Sequence, residues 1–88
     1  MTLQQLRYVI QAADSRSMNE AAKALYISQP SLSEAIKELE KEIGIELFKR
    51  SSHGTVLTPE GEEFLGYARQ VTDQYQLLEN RYIYRTKG

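Results

Sequence analysis

The sequence predicts a mainly α-helical fold with one short β-hairpin and a long final helix. Three observations support this prediction. Apolar residues recur at spacings of three and four in three segments before residue 44, and a turn-rich stretch separates two extended segments between residues 45 and 58. Heptad-spaced apolar residues then continue to residue 82. The 88 residues are enough for one small domain with a modest core.

Composition excludes several classes of protein. The chain has no cysteine and a single histidine, His53, so neither a disulfide framework nor a histidine zinc centre can form, and we expect no cofactor and no metal. The amino terminus enters an amphipathic pattern directly and no long charge-free segment follows, which predicts a soluble, cytoplasmic protein without a membrane partner. The net charge of −1 argues against a general polyanion binder, so any nucleic-acid site must depend on local charge.

Two amphipathic helices are predicted first. One ends near Asp14, and Ser17 can cap the other with Glu20 three positions later, which is a capping-box pattern. The apolar side of the first helix consists of Leu3, Leu6, Ile10 and Ala13. The buried stripe of the second consists of Met18, Ala21, Ala22 and Leu25, and its alanines allow helices to approach closely.

A third helix follows a short turn at Tyr26 and Ile27. Ser28 caps it and Gly44 ends it. Its core side is formed by Leu32, Ile36, Leu39 and Ile43. At about 100° per residue the opposite, mostly polar side contains Pro30, Ser33, Glu34, Lys37 and Lys41, while Gln29 is expected at the exposed amino-terminal tip.

The second and third helices, joined by a three-residue turn, are typical of a helix-turn-helix. The third helix opens with Ser28-Gln29-Pro30-Ser31-Leu32-Ser33, a row of small hydrogen-bonding side chains suited to a major groove roughly 12 Å wide. An alternative is that Ser28 only caps the helix and that Pro30 only occupies a first-turn position where its missing donor costs nothing. Both interpretations can hold together.

A two-stranded ribbon is predicted after Gly44. The segment 45–50 becomes extended, residues 51–54 form a turn, and residues 55–58 alternate like a returning strand. Lys49 and Arg50 lie at the base and His53 near the tip, which is the layout of a wing that contacts phosphate or the minor groove. The alternative is an ordinary hairpin with a solvated Lys-Arg pair.

The last helix is predicted to begin at Thr58-Pro59-Glu60 and to extend to Arg85, about 40 Å at 1.5 Å per residue. Its heptad-spaced apolar seam is formed by Phe64, Ala68, Val71, Tyr75, Leu78 and Tyr82. The seam could pack wholly against the chain's own helices, but its distal part lies beyond a compact body. We therefore expect Val71, Tyr75, Leu78 and Tyr82 to form a homodimer interface. The chain is thus predicted to divide into a winged helix-turn-helix domain at residues 1–58 and a long helical segment for dimerisation at residues 59–88.

At these positions the sequence resembles the amino-terminal DNA-binding region of the LysR-type bacterial transcriptional regulators. The matching positions are Leu3 through Val9, Ser17 through Leu25, Ser28, Gln29, Pro30, Ser33, Ile36, Leu39, Glu40, Gly44, Ile45, Leu47, Phe48, Arg50, Leu57, Thr58 and Gly61. The resemblance implies a winged helix-turn-helix, with residues 59–88 as a linker helix and the start of a hinge. It further implies an antiparallel pair of linker helices in a dimer that reads a partly palindromic operator. It also implies a larger effector-binding domain that senses a small molecule and follows this region.

One position departs from that family, which commonly has Arg where this chain has Glu34. An acid there would repel phosphate, accept a hydrogen bond from a cytosine amino group, pair with Lys37 or Lys41, or lie outside the contact. The predicted DNA-binding residues are Gln29, Pro30, Ser31, Ser33, Glu34, Lys37, Arg50 and His53, with Lys49 a weaker candidate.

The predicted function is that of a sequence-specific DNA-binding transcriptional regulator, not an enzyme. An enzyme fragment is disfavoured because no nucleophile and base pair, metal set or phosphate-cradling glycine loop is visible. The other alternative is a helical protein-interaction module in which the long Tyr-bearing helix docks on another protein and the helix-turn-helix is scaffold. Such a module would not distinguish a palindromic operator from scrambled DNA.

Overall fold

The computed structural model describes residues 1–52 and 54–84, and within them the chain forms helices and one two-stranded antiparallel sheet. The elements in chain order are α1 (Leu3–Asp14), α2 (Met18–Leu25), α3 (Gln29–Ile43), β1 (Phe48–Ser51), β2 (Gly54–Leu57) and α4 (Pro59–Tyr82). The predicted fold class, mainly α with a helix-turn-helix, a β wing and a long last helix, is confirmed.

Local capping explains why the helix bounds agree with the sequence. The hydroxyl of Ser17 accepts from the Glu20 N–H at 3.2 Å, and Ser28 does the same for Ser31 at 3.2 Å. Gly44 ends α3 with a left-handed φ of 75°. The capping box predicted at Ser17 and Glu20 is only half formed, since among the described residues the Glu20 side chain does not accept from the Ser17 N–H. The complete box lies at α1, where Thr2 and Gln5 each bond the other's backbone N–H. The box at α1 was not predicted.

The core lies where α1, α2 and α3 meet the connector that follows α3. Its fully or nearly fully buried members are Val9, Ala21, Ala22, Leu32, Ile36, Leu39 and Leu47. The predicted core side of α3 is confirmed, with Ile43 half-buried against the same cluster. Leu47 was not predicted, because it lies in an irregular segment without periodicity.

The wing is slightly longer and its turn tighter than expected. Phe48 pairs with Leu57 and Ser51 with Gly54, so the two end residues of the predicted turn at residues 51–54 also belong to the strands. The Ser51 hydroxyl also donates to the Gly54 carbonyl oxygen at 3.0 Å, which holds the two strand ends together. The returning strand ends at Leu57, not Thr58. His53 lies outside the described residues.

The amino-terminal half of α4 packs on the body. Ala68 is buried, and Phe64 and Leu65 contact the core cluster. The carboxylate of Asp14 binds the Arg69 guanidinium at 2.6 Å, and this hydrogen bond raises the pKa of Arg69. This part of the seam therefore has its partner within the chain.

The distal half of α4 extends away from the body. The Arg7 guanidinium lies 5.4 Å from the centre of the Tyr75 ring, so Tyr75 keeps one contact with α1, contrary to the expectation that it lies beyond the body. Beyond it Leu78 and Tyr82 are exposed. The helix ends at Tyr82, so the predicted end at Arg85 was wrong. The Glu79 carbonyl accepts from the N–H groups of both Ile83 and Tyr84 there, and the regular ladder stops.

Candidate nucleic-acid interface

The side of α3 opposite the core is solvent-exposed. Leu32, Ile36 and Leu39 point inward and are buried. The residues of the opposite side that are exposed are Pro30, Glu34, Lys37 and Lys41, with Ser33 half-buried at its edge. The outward polar side predicted from helical periodicity is therefore present. The exposed strip is about as wide as a single α-helix, since it is formed by side chains of α3 alone.

A cleft separates α3 from the wing. Gln29, Ser33 and Lys37 line it from α3, and Lys49 and Arg50 line it from β1. The structure thus brings together five of the predicted site residues. The cleft also contains Glu40 and Glu46, so it has three cationic and two acidic side chains. Lys37, Lys49 and Arg50 are exposed, which leaves their charges available to a ligand.

Gln29 lies differently from the prediction. It was expected at an exposed tip, but it is half-buried at the edge of the cleft. Its Nε2 donates to the Ser33 hydroxyl at 2.7 Å, because residues four apart lie on the same side of a helix. The two side chains are therefore one coupled unit. The Gln29 carbonyl oxygen is left to accept, and the second Gln29 N–H and the Ser33 hydroxyl are left to donate.

Ser31 belongs to the cap of α3. The Ser28 hydroxyl donates to the Ser31 hydroxyl at 2.8 Å while accepting from the Ser31 N–H. Ser31 is exposed at the amino-terminal end of the helix. Ser31 therefore takes part in the cap of α3 and is also accessible to a ligand. The capping and the DNA-binding interpretations of this segment can thus hold together.

Glu40 holds the wing in position relative to α3. Its Oε2 accepts hydrogen bonds from the backbone N–H groups of Leu47 at 2.7 Å and Phe48 at 3.2 Å. These two hydrogen bonds fix the first residue of β1 relative to the outward polar side of α3. They thereby also fix the positions of Lys49 and Arg50. No role for Glu40 was predicted from the sequence. Its place four residues after Ile36 follows from the helical period, but no pattern in the sequence links it to the connector after Gly44.

Within the described residues, no group of three His, Asp or Glu side chains is arranged to hold a metal ion. No helix in that part of the chain is long and apolar enough to cross a membrane.

The fold and the exposed α3 side define a winged helix-turn-helix protein, and comparison with known proteins identifies its family. The family described as "Bacterial regulatory helix-turn-helix protein, lysR family" matches residues 3–62. The chain belongs to this LysR family, as its resemblance implied.

Two relatives and one solved structure illustrate the similarity. The chain is 43% identical over 76 residues to the HTH-type transcriptional regulator YxjO of Bacillus subtilis (strain 168), covering 86% of this chain and 26% of the relative. It is 52% identical over 64 residues to the HTH-type transcriptional regulator BudR of Klebsiella aerogenes, covering 73% of this chain and 45% of the relative. The chain therefore spans less than half the length of either relative.

The structural match covers both chains almost completely. The crystal structure of the CbnR_DBD-DNA complex superimposes with a TM-score of 0.86 at 36% sequence identity. The match covers 92% of this chain and 93% of that chain. The long α4 is thus part of the shared architecture.

Proposed function

We propose that this chain is the DNA-binding part of a transcriptional regulator and that it binds a partly palindromic operator as a homodimer. The observation that carries this proposal is the uncovered polar side of α3 beside a cleft whose far rim is Lys49 and Arg50. A single exposed helix fits the major groove, and a flanking cationic ribbon can contact the adjacent backbone. The LysR family assignment and the similarity to CbnR_DBD, which was crystallised with DNA, support it.

The residues divide by position into two roles. Near the amino-terminal end of α3, Gln29, Ser31, Ser33 and Glu34 meet base edges, and Pro30 offers an apolar surface to a thymine methyl group. Lys37 and Arg50 contact phosphate, with Lys49 as a weaker contact and His53, outside the described residues, at the end of the wing. Base contacts provide sequence preference, whereas phosphate contacts provide affinity and orientation.

Residues 1–58 form the DNA-binding domain in this proposal, and residues 59–88 dimerise it and begin a hinge. Two recognition helices then enter successive major grooves, and paired α4 helices set their separation. The seam residues that meet are Val71, Tyr75, Leu78 and Tyr82. The regulator acts in the cytoplasm without catalysis, and it responds to a small-molecule effector only if it carries a further, carboxy-terminal domain.

Selection of bound sites from a randomised duplex pool tests the function. The expected result is a recurring motif with two related half-sites, and tighter binding to that motif than to a scrambled duplex at the same salt concentration. Recovery of no motif, with equal affinity for both duplexes, would contradict the proposal. It would favour a protein-interaction module built around the exposed α4.

A further inference from the structure

Glu34 differs from the other polar side chains in the first two turns of α3. Gln29, Ser31 and Ser33 all form side-chain hydrogen bonds within the chain. The Glu34 carboxylate is exposed, and within residues 1–52 and 54–84 it has neither a hydrogen bond nor an ion pair. Of these side chains, Glu34 is the one whose full hydrogen-bonding capacity remains for a ligand.

The position of Glu34 on α3 directs its carboxylate toward the base edges in a major groove. At 100° per residue, Glu34 lies roughly opposite the mean direction of the buried Leu32, Ile36 and Leu39. When the outward side of α3 enters the major groove, phosphates flank that side and base edges face it. The cations Lys37 and Lys41 follow along the same side and can meet the phosphates. Because the amino-terminal residues of a recognition helix are the ones that contact base edges, the carboxylate in the second turn faces the bases, whereas Lys41 lies about two turns further along.

The four bases differ in the hydrogen-bonding groups that they present to a carboxylate in the major groove. An ionised carboxylate only accepts hydrogen bonds. In the major groove guanine presents two acceptors, thymine an acceptor and a methyl group, and adenine a donor beside the N7 acceptor. Cytosine presents the N4 amino donor alone, so it is the base that pairs with a carboxylate without a repulsive neighbour.

We propose that Glu34 selects cytosine at one position of each operator half-site, an inference that rests on the proposed function. The carboxylate loses water and approaches the negative backbone on binding, and only a base that donates to it offsets that loss. Discrimination therefore comes mainly from rejection of the other bases, which leave a desolvated charge unpaired.

The test compares binding motifs selected by four proteins: the parent, Glu34→Gln, Glu34→Ala and the control Glu38→Gln. The parent should show cytosine at one half-site column, by about five- to tenfold over other bases. Glu34→Gln should change that column to adenine, because an amide donates and accepts and matches adenine N6 and N7. Glu34→Ala should lose the preference there and leave the other columns unchanged.

Glu38 is an exposed acid one turn further along α3, so Glu38→Gln removes the same charge without removing the proposed contact. It should strengthen binding to all sequences alike and leave every column unchanged. A parental motif with no column altered by either Glu34 variant would overturn this inference while the DNA-binding function stands. The absence of any motif from the parent would overturn both.

Discussion

The carboxylate of Glu40 accepts a 2.7 Å hydrogen bond from the backbone N–H of Leu47. The Leu47 side chain is fully buried, and its carbonyl accepts from the Thr58 N–H at 3.0 Å, just before α4 begins. One connector residue is thus bonded to α3 on one side and to the start of α4 on the other. The position of the wing relative to the recognition helix depends on this arrangement.

Removal of the Glu40 carboxylate should destabilise the domain. Glu40→Ala leaves the Leu47 and Phe48 N–H groups without their acceptor in a partly buried region, and we expect the free energy of unfolding to fall by about 1–3 kcal/mol. Glu40→Gln retains an acceptor oxygen and should lose clearly less. Urea denaturation followed by circular dichroism measures both. Equal losses in the two variants would contradict a role for the side-chain acceptor.

A second prediction concerns the close approach of α4 to the same connector. A Cβ added at Gly61 would overlap the Leu47 carbonyl oxygen, and neither backbone can move without disturbing the core. Gly61→Ala should therefore lower the free energy of unfolding by about 1–3 kcal/mol or more. Gly66→Ala is the matched control in the same helix, because nothing lies within 4 Å of its added Cβ. That variant should gain about 0.5–1 kcal/mol from the higher helix propensity of alanine. Thermal and urea unfolding should give opposite signs for the two variants.

These relationships show what the sequence could and could not predict. The bounds of α1, α2 and α3 depend on periodicity and on caps such as Ser28 and Gly44, which act within a few residues, so they were predictable. The outward side of α3 followed from the same periodicity. The bond from Glu40 to Leu47 spans an irregular connector, and the need for glycine at Gly61 arises from tertiary contact. Neither has a periodic signal, and so the precise placement of the wing was not predictable.

The hydrogen bond between Gln29 and Ser33 predicts coupled effects on DNA recognition. Gln29→Ala and Ser33→Ala should each reduce the discrimination between operator and random DNA, by about 1–3 kcal/mol. The double variant should lose less than the sum, because Ser33 orients the Gln29 amide that reads the base. Affinities of all four proteins at fixed salt give this double-mutant cycle. Full additivity would mean that the two side chains act separately, and unchanged discrimination would remove both from the base contacts.

Arg50 should contribute affinity without sequence preference. It is exposed on β1 at the rim of the cleft, where it can contact a phosphate. Arg50→Ala should weaken binding to operator and random DNA alike and reduce the slope of log K against log salt by about one unit. Arg81→Ala, which removes the same charge near the end of α4, should leave the slope unchanged. Titrations at several salt concentrations measure it, and a parental slope in Arg50→Ala would remove Arg50 from the phosphate contacts.

The final prediction concerns the dimer, and two adjacent leucines provide the test. Leu77 and Leu78 are exposed to almost the same extent, 60% and 56%. Substitution by glutamate should therefore change the stability of a single chain by a similar amount at either position. They point about 100° apart on the helix. Leu78 lies on the seam with Val71 and Tyr82, whereas Leu77 points away from it.

Leu78→Glu should therefore dissociate the dimer, and Leu77→Glu should not. In a two-fold interface the seam meets its own copy, so an acid at residue 78 is desolvated near its symmetry mate, at a cost of several kcal/mol. Sedimentation at micromolar concentration should show a dimer for the parent and Leu77→Glu and a monomer for Leu78→Glu, with equal helix content by circular dichroism. Leu78→Glu should also bind the operator more weakly, since a monomer holds a single half-site. A monomeric parent, or equal dissociation by both variants, would show that this seam is not the dimer interface.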